Sequence, residues 1–579
     1  MRELKTVLPY FRPYRTGVVL GVVCVVLANA FQIAGPWFMK LGIDAMGEPG
    51  VTRGTIAFYA FMVVAVAGIG GVFRFGMRQY LNGISRRIET DLRDDFFQHL
   101  LRLDATFYGT TRTGDLMSRA TNDTLAVRMA AGPAIMYTVN TAASFVFALG
   151  FMLVISPRLT AYAMVPMIVL PPIVLFFGRI IHRRFEEIQE QFSSLSTFVQ
   201  ENLTGVRLVR AYTQEDEQAR QFDGYNEDYR HRNMRLVMTA GAFHPLLMLI
   251  SGLALVVVTG LGAIEVMANT ITIGDFVAFT FYLTLLIWPM IALGWVVNLY
   301  QRGAASMGRL NRILDAEPAV PMPSNPASLA DARGAIEFRN VSFTYPGTER
   351  AVLDDLSFSV RPGQTVAIMG PTGAGKSTVI ALLARLYDPT AGRILIDGIP
   401  LTEVDPAELR ARIGMVPQDP FLFSDTMKHN IGFESPEDTI RASARVAQLH
   451  EQILEFPRGY DTMLGERGIN LSGGQKQRAT LARALARDPL ILILDDALSA
   501  VDTHTETAIL DDLRAETGHR TSFIISHRAS AVMHADSILV LDEGRIVESG
   551  QHAELVDANG TYARLVRRQL LEESLAAGD

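Results

Sequence analysis

The sequence predicts a membrane protein with six transmembrane α-helices, followed by a separate α/β domain. Hydrophobic residues make up 49% of the 579 residues. They concentrate before about residue 300, in runs long enough to span a bilayer, which takes roughly 20 residues each. A stretch rich in Pro, Ala and Ser, residues 317–334, interrupts this pattern and is predicted to be a linker. Beyond it, strand-like and helical apolar runs alternate, as in an α/β domain.

The membrane part is predicted over residues 1–316. An N-terminal segment, residues 3–15, places basic residues around an apolar set just before the first span, which favours an interfacial elbow helix over a solvated leader. Prolines inside the later spans are predicted to kink them. The six predicted spans are residues 17–45, 54–82, 131–155, 159–180, 237–265 and 272–300.

Basic residues predict the orientation of the spans. The connecting stretches 83–130 and 181–236 are long and rich in arginine, whereas the other connections are short. Because positive residues are retained in the cytoplasm, we expect both termini to lie on the cytoplasmic side of the inner membrane. Apolar positions at helical spacing predict that the long stretches are helical extensions of the spans, with turns at Gly114-Asp115 and Gly205-Val206.

A few polar residues fall inside the predicted spans. Charged or ionisable groups in a bilayer tend to face a cavity or a partner helix. Arg74, Arg78 and His244 are therefore candidates for a substrate path. Two alternatives stay open. In one, Arg78 lies near the cytoplasmic boundary and extends its charge to the interface; in the other, His244 only bonds a carbonyl freed by Pro245.

The second part contains a glycine-rich loop between an apolar strand, TVAIM, and an apolar helix, TVIALLARLY. The loop matches G-x-x-x-x-G-K-[ST] in full, and this is the structural context that the motif requires. Successive backbone N–H groups of such a loop surround phosphates, the lysine contacts the β and γ oxygens, and the hydroxyl after it binds Mg²⁺. The predicted ATP-binding residues here are Gly370, Pro371, Thr372, Gly373, Ala374, Gly375, Lys376, Ser377 and Thr378.

The α/β domain is predicted over residues 335–570, with a tail at 571–579. Further site residues lie at the ends of its other strand-like runs. Asp495 and Asp496 end the apolar run ILILDD. We expect Asp495 to bind Mg²⁺ with Ser377 and Gln418, and Asp496 to act on the attacking water. Gln418 and His527 complete the predicted catalytic set, and Tyr345 is predicted to stack on adenine. Alone, Tyr345 and His527 would be ordinary core or surface residues; their order around the loop favours the site.

Taken together, these residues resemble those of ATP-binding cassette exporters in which one six-helix transmembrane domain is fused to one nucleotide-binding domain. The resemblance covers nearly the whole chain. It includes the loop 370–377, Gln418, GERG at 465–468, LSGGQ at 471–475, Asp495, SAVD at 499–502 and His527, and two intracellular loops at 107–123 and 201–217. It implies a dimer in which each ATP lies between the phosphate loop of one chain and Ser472, Gly473, Gly474 and Gln475 of the other.

One position departs from the family pattern. Asp496 stands where the family normally has glutamate, and its side chain is shorter by one methylene, on the order of 1.5 Å. Because a misplacement of about 1 Å can lower a rate on the order of a hundredfold, we predict slow hydrolysis at this chain's own loop. The resemblance then implies a heterodimer whose second chain carries the glutamate. The alternative is a homodimer with two slow sites.

The leading functional prediction is ATP-driven export of amphipathic small molecules, drugs or lipids. Alternatives are a homodimeric lipid or drug flippase, a nucleotide-gated regulatory or channel-like protein, and an importer of the same fold. The net charge of −7 argues against nucleic acid as a partner. The single cysteine, Cys24, excludes an intrachain disulfide.

Overall fold

The structure is a computed structural model that describes residues 2–465, 468–516 and 520–577. The chain divides into two compact units. The first comprises Met1–Leu101 and Thr113–Ala316, and the second comprises Arg102–Arg112 and Glu317–Asp579. Each unit has its own apolar clusters, as expected of parts that bury side chains independently.

Among the described residues, the first unit consists of helices joined by short connections, and six of its helical stretches are long and apolar enough to cross a membrane. Two short π-helical segments, Arg119–Asp123 and Ala130–Ala134, interrupt the third stretch. The α-helices from the N-terminus to residue 314 are α1 (Leu8–Phe11), α2 (Arg15–Met46), α3 (Arg53–Arg102), α4 (Ala105–Thr110), α5 (Thr113–Ser118), α6 (Thr124–Met129), α7 (Ile135–Ile155), α8 (Pro157–Thr204), α9 (Val206–Ala211), α10 (Glu215–Met267) and α11 (Ile273–Leu314).

The prediction of six spans with long helical extensions is confirmed. α3, α8 and α10 run for 50, 48 and 53 residues, far beyond the apolar part of each helix. The predicted turn at Gly205 is confirmed, because Gly205 lies between α8 and α9. The predicted turn at Gly114-Asp115 is wrong: these residues lie inside α5, and the chain turns at Thr111, whose extended backbone ends α4.

The N-terminal segment is helical and is bonded to the extension of α3 beyond its apolar part. It consists of two 3-10 segments, Arg2–Val7 and Arg12–Tyr14, on either side of α1. Tyr10 and Tyr14 donate hydrogen bonds to carboxylates of α3, Asp95 at 2.8 Å and Asp91 at 2.9 Å. Its position at the membrane interface stays a prediction.

Polar pairs connect the long helices to one another. Asn29 of α2 donates to Asn140 of α7 at 3.0 Å, and Arg74 of α3 donates to Gln32 of α2 at 2.7 Å. Helix association in lipid relies on such bonds, because lipid is as apolar as the helix surface. Arg74 therefore has a structural partner. Arg78 and His244 are exposed side chains, and their predicted role in a substrate path stays a prediction.

The second unit is built on two sheets. A four-stranded antiparallel sheet has the order β2-β1-β4-β5, and a six-stranded sheet, parallel except for its β9-β10 hairpin, has the order β10-β9-β3-β8-β7-β6. The strands are β1 (Ile336–Phe343), β2 (Leu353–Val360), β3 (Thr365–Met369), β4 (Ala391–Ile396), β5 (Ile399–Pro400), β6 (Ile413–Val416), β7 (Ile491–Asp495), β8 (Thr521–Ile525), β9 (Ser537–Asp542) and β10 (Arg545–Gly550).

Helices cover the larger sheet, which confirms the predicted α/β domain. Strands β3, β7 and β8 are buried along nearly their whole length, so they read as continuous apolar runs rather than alternating ones. The helices are α12 (Lys376–Leu383), α13 (Pro406–Ala411), α14 (Met427–Gly432), α15 (Glu437–Val446), α16 (His450–Leu454), α17 (Gly473–Leu485), α18 (Thr503–Glu516), α19 (Ala529–Val532), α20 (His552–Asp557) and α21 (Thr561–Ala577).

Candidate functional site

The larger sheet brings most of the predicted site residues to one edge. Strands β6, β7, β8 and β3 are adjacent and parallel, so their carboxyl ends lie together. In open α/β sheets, ligands bind at this edge. The glycine-rich loop follows β3, Gln418 follows β6, Asp495 ends β7 and is paired in register with Ile525 of β8, and His527 comes two residues later.

The glycine-rich loop has a backbone that only glycine accepts at two of its positions. Gly370 has φ of +154°, and a Cβ there would lie 2.1 Å from the carbonyl oxygen of Leu541. Gly375 has φ of +98°, and a Cβ there would lie 2.9 Å from the carbonyl oxygen of Val352. Gly375 also precedes α12, so the loop ends at a helix N-terminus. This is an anion-binding arrangement, because the first N–H groups of a helix have no partner inside it.

Lys376 lies in the first turn of α12, where the lysine of a phosphate loop belongs. Its side chain is buried, and its Nζ donates to the carbonyl oxygens of Gly370 at 2.8 Å and Pro371 at 2.9 Å. Burial lowers the pKa of Lys376, while the carboxylates of Asp495 and Asp496 act in the opposite direction. The ammonium group is thus held within the loop, beside the position that the motif assigns to phosphate oxygens.

Asp495 and Ser377 are oxygen donors of the kind that Mg²⁺ prefers. The Ser377 hydroxyl donates to the Asp495 carboxylate at 3.4 Å. Burial raises the pKa of Asp495. A nearby cation would act in the opposite direction and favour the charged carboxylate. Among the described residues, no group of three or more His, Cys, Asp or Glu could hold a metal ion. Mg²⁺ bound through one carboxylate, a hydroxyl and phosphate oxygens needs no such group, so these residues fit it.

Asp496 has a left-handed backbone conformation, with φ of +47°. Its N–H donates to the carbonyl oxygen of Ile525 at 2.8 Å, and its own carbonyl oxygen accepts from the Ser499 hydroxyl at 3.0 Å. Non-glycine residues adopt this conformation at a cost, and only where the surroundings hold it. The backbone at this position is therefore fixed to β8 and to the segment that follows β7.

Tyr345 lies beside the start of α12. Its hydroxyl is 3.1 Å from that of Thr378, so the ring is placed next to the phosphate loop. The rings of Phe343 and Tyr387 each pack against the Tyr345 ring in T-shaped geometry, with centroids 4.8 and 5.4 Å from its own. Tyr345 is only half-buried, which leaves part of its surface accessible. Its predicted contact with adenine stays a prediction that this position supports.

The LSGGQ motif begins a different helix. Ser472 is the N-cap of α17 and forms a capping box with Gln475. Gln475 also donates to Gln452 at 3.3 Å, and a Cβ on Gly474 would lie 2.8 Å from the carbonyl oxygen of Ala500. Within the chain, this motif therefore contacts α16 and the segment 499–502. Of the related GERG motif, Glu466 and Arg467 lie outside the described residues.

The structure adds two side chains that the sequence did not single out. Gln477 of α17 accepts from the Ala500 N–H at 2.9 Å and donates to the Ser499 hydroxyl at 2.9 Å. Arg528, directly after His527, donates to the Ser499 carbonyl oxygen at 2.8 Å and pairs with buried Glu506 at 2.5 Å. The two side chains hold segment 499–502 from both sides. A single sequence carries no signal for this, because the contacts join residues about 20 to 30 positions apart.

Comparison with known proteins assigns both parts of the chain to the ABC transporter family. Residues 18–290 match the family model for the ABC transporter transmembrane region, and residues 353–499 match the model for the ABC transporter. The chain is 40% identical over 569 residues to the probable multidrug resistance ABC transporter ATP-binding/permease protein YheI of Bacillus subtilis, with 97% of each protein covered. It is 38% identical to the multidrug resistance-like ATP-binding protein MdlA of Escherichia coli, with 98% of this chain and 96% of MdlA covered.

A solved structure shows the same architecture. The structure of a bacterial Atm1-family ABC exporter with ATP bound has a TM-score of 0.80 and 31% sequence identity, and the match covers 96% of this chain and 98% of that one. The chain therefore belongs to the ABC transporter family, as a half-transporter that fuses the transmembrane and nucleotide-binding domains. Its nucleotide-binding domain identifies it as an ATPase coupled to transport.

Proposed function

We propose that this protein exports amphipathic small molecules, drugs or lipids across the inner membrane, with both termini in the cytoplasm, as one subunit of a heterodimeric exporter. Two of the similar proteins carry names that refer to multidrug resistance. The arginine-rich helical extensions support a cytoplasmic position for the second unit. The observation that carries the proposal is the edge of the parallel sheet, where the phosphate loop, Gln418, Asp495, Asp496 and His527 all follow neighbouring strands.

In the proposed reaction, each side chain at this edge has one task. Lys376 would exchange its two backbone carbonyl partners for phosphate oxygens, and Ser377, Asp495 and Gln418 would hold Mg²⁺. The bound metal would supply positive charge against the phosphates. Asp496 orients the attacking water, and His527 contacts the transferred phosphoryl group. LSGGQ serves the loop of the partner chain, since its helix N-terminus can face an anion.

The site of this chain is proposed to be slow because the Asp496 carboxylate is one methylene short of the water. Its backbone N–H and C=O are both bonded, to Ile525 and Ser499, which opposes a shift of the backbone that would replace the missing methylene. A misplacement of about 1 Å lowers a rate on the order of a hundredfold. The LSGGQ motif, in contrast, is intact, as expected if it completes a competent site on a partner that carries glutamate.

The test compares the ATPase rates of the purified native chain and of the Asp496→Glu variant, each reconstituted in liposomes without another chain. The assembly state is measured by native mass spectrometry on the same preparation. We expect slow turnover by the native chain and an increase of about tenfold or more in the variant. Asp496→Asn keeps the shape and removes the charge, so it is the matched control and should show no increase.

Other outcomes would favour the alternatives. A homodimer with rapid ATPase that Asp496→Glu leaves unchanged would contradict the slow site and favour a homodimeric flippase. ATP-dependent conductance with no cargo-stimulated turnover would favour a nucleotide-gated channel-like protein. Accumulation of a fluorescent amphipathic dye inside inside-out vesicles supports export, whereas accumulation in right-side-out vesicles would contradict it.

A further inference from the structure

The membrane unit contains a cavity between α7 and α11, which belong to the third and sixth apolar helical stretches. Its volume is about 380 Å³, and small-molecule sites typically have volumes of roughly 300–1,000 Å³. Apart from two threonines, every side chain that lines the cavity is apolar, and none is charged. The walls include Thr141, Ala142, Phe145, Pro289, Met290 and Leu293.

Aromatic pairs join the two helices on either side of this cavity. Tyr137 of α7 packs against Trp295 of α11, with ring centroids 4.6 Å apart in T-shaped geometry. Further along α7, Phe151 packs against Tyr282 of α11, with centroids 5.5 Å apart. Positions rise along α7 as they fall along α11, so the two helices run antiparallel. The large rings therefore set the separation of the helices at both ends of the cavity.

Small side chains and a proline occupy the stretch between these pairs. On α7, Ala142 is too short to reach across the separation that the rings impose. On α11, Pro289 lies inside the helix, where a proline causes a kink. The space left between the two helices is the cavity, which follows from the sizes of the side chains along both helices.

One hydroxyl in the wall is left without a hydrogen bond. Thr141 is only 6% exposed, and its Oγ1 has no partner in the described part of the chain. The other threonine of the wall, Thr138, donates to the carbonyl oxygen of Ala134 at 2.7 Å. A buried polar group without a partner destabilises the folded protein and is uncommon. The Thr141 hydroxyl is thus available to a molecule that enters the cavity.

The composition of the wall defines what the cavity can hold. A charged group would lose its hydration there without gaining a partner, which is strongly unfavourable. An uncharged, mostly apolar molecule gains from the burial of its surface. A ligand with a single donor or acceptor could also bond Thr141, which removes the cost of the unpaired hydroxyl. Met290 is flexible and can adapt to ligands of different shape.

We propose that this cavity binds uncharged, mostly apolar small molecules with one hydrogen-bonding group, which Thr141 recognises, and that it excludes charged amphipathic compounds. The proposal rests on the proposed function, because it narrows the cargo of the exporter to this class. A lipid acyl chain or a helix of a partner chain are the other occupants, and neither would bond Thr141.

The test measures binding of tritiated phenylnaphthylamine to the full chain in lipid nanodiscs without nucleotide, after subtraction of binding to empty nanodiscs. This probe is an uncharged aromatic amine with one N–H. The competitor is anilinonaphthalene sulfonate, which has the same skeleton and a negative charge. We expect saturable binding of the probe, and competition by the sulfonate only at concentrations on the order of a hundredfold higher or more.

Two substitutions locate the probe in the cavity. Ala142→Phe fills the space and should weaken binding at least about tenfold; Ala60→Phe, at an exposed position of α3, is its control. Thr141→Val removes the hydroxyl at nearly constant volume and should weaken binding about threefold to tenfold. Thr280→Val is its control, because this hydroxyl already donates to the Phe276 carbonyl oxygen at 3.0 Å.

A melting experiment separates recognition by Thr141 from a role in folding. Because Thr141→Val removes an unpaired buried hydroxyl, the melting temperature of the ligand-free variant should be unchanged or higher, although the variant binds the probe more weakly. At equal probe concentration, the native chain should gain more in melting temperature than the variant. A clearly lower melting temperature of the ligand-free variant would show that the hydroxyl has a structural partner and would contradict the proposal.

Three further results would overturn the proposal. The first is the absence of saturable binding, as expected if lipid or a partner helix fills the cavity. The second is equal affinity for the uncharged probe and the sulfonate, and the third is undiminished binding in Ala142→Phe. Because the binding assay uses neither ATP hydrolysis nor transport, its failure is distinct from a failure of the proposed export, which the vesicle assay measures.

Discussion

The nucleotide-binding unit has two regions that we propose to bind ATP, and they are built differently. The phosphate region lies at the edge of a parallel sheet, where the strands fix the backbone and the side chains are short or buried. The LSGGQ region is one helix start, held by a capping box and by contacts with segment 499–502. The first region departs from the family at Asp496, while the second is intact. The difference teaches that the two regions are built independently, so substitutions can test each of them separately.

Lys376→Met should have the largest effect and break the phosphate region alone. The variant removes the buried ammonium group and leaves the carbonyl oxygens of Gly370 and Pro371 without their donor. We expect equilibrium ATP binding to weaken on the order of a hundredfold, because hydrogen bonds to charged groups contribute about 1.5–3 kcal/mol each. Lys428→Met, in α14 of the same unit, is the control and should bind ATP normally. Unchanged binding in Lys376→Met would contradict the assignment of this loop.

Gly474→Ala should break the LSGGQ region alone. The added Cβ would lie 2.8 Å from the Ala500 carbonyl oxygen, so α17 or segment 499–502 must shift. We expect the ATPase rate of the assembled transporter to fall about tenfold to a hundredfold, as for a displacement of about 1 Å at a reacting site. ATP binding by the isolated chain should change by less than about threefold. Gly224→Ala, in α10, where an added Cβ would meet nothing within 4 Å, is the control. Equal loss of binding in Gly474→Ala and Lys376→Met would show that the two regions are not separable.

Gln477→Leu should have the smallest effect and tests how the two regions are connected. The side chain bonds Ala500 and Ser499, and it lies 3.5 Å from the carbonyl oxygen of Asp496. Its removal leaves the Ala500 N–H without that partner, which costs about 1–3 kcal/mol. We expect a lower melting temperature in detergent and an ATPase rate reduced about threefold to tenfold. Gln477→Glu keeps the acceptor for Ala500 and should recover part of the loss. A wild-type rate in Gln477→Leu would show that segment 499–502 is positioned without it.

The predicted spans, phosphate loop and turns differ in how far along the sequence the pattern that predicts each of them extends. The six spans and their extensions could be predicted because apolar runs and helical spacing act within one helix. The phosphate loop could be predicted because its glycines, lysine and hydroxyl are consecutive. The turn at Gly114-Asp115 was wrong because glycine only permits a turn. The capped helix α4, whose N-cap is Asp104, ends at Thr111, and the turn falls there instead.

By itself, the sequence determined the class of each half, and it predicted the site residues, since both depend on neighbours along the chain. Only the tertiary structure decided which residues meet. The sheet order brings Gln418, Asp495 and His527 to the edge that carries the phosphate loop. The assignment of Arg102–Arg112 to the nucleotide-binding unit, and the contacts of Tyr387 and Gln477, join residues far apart in sequence. The physical reason is that hydrogen bonds and ring contacts act over a few ångströms in space, whereas sequence patterns describe only one strand, helix or turn at a time.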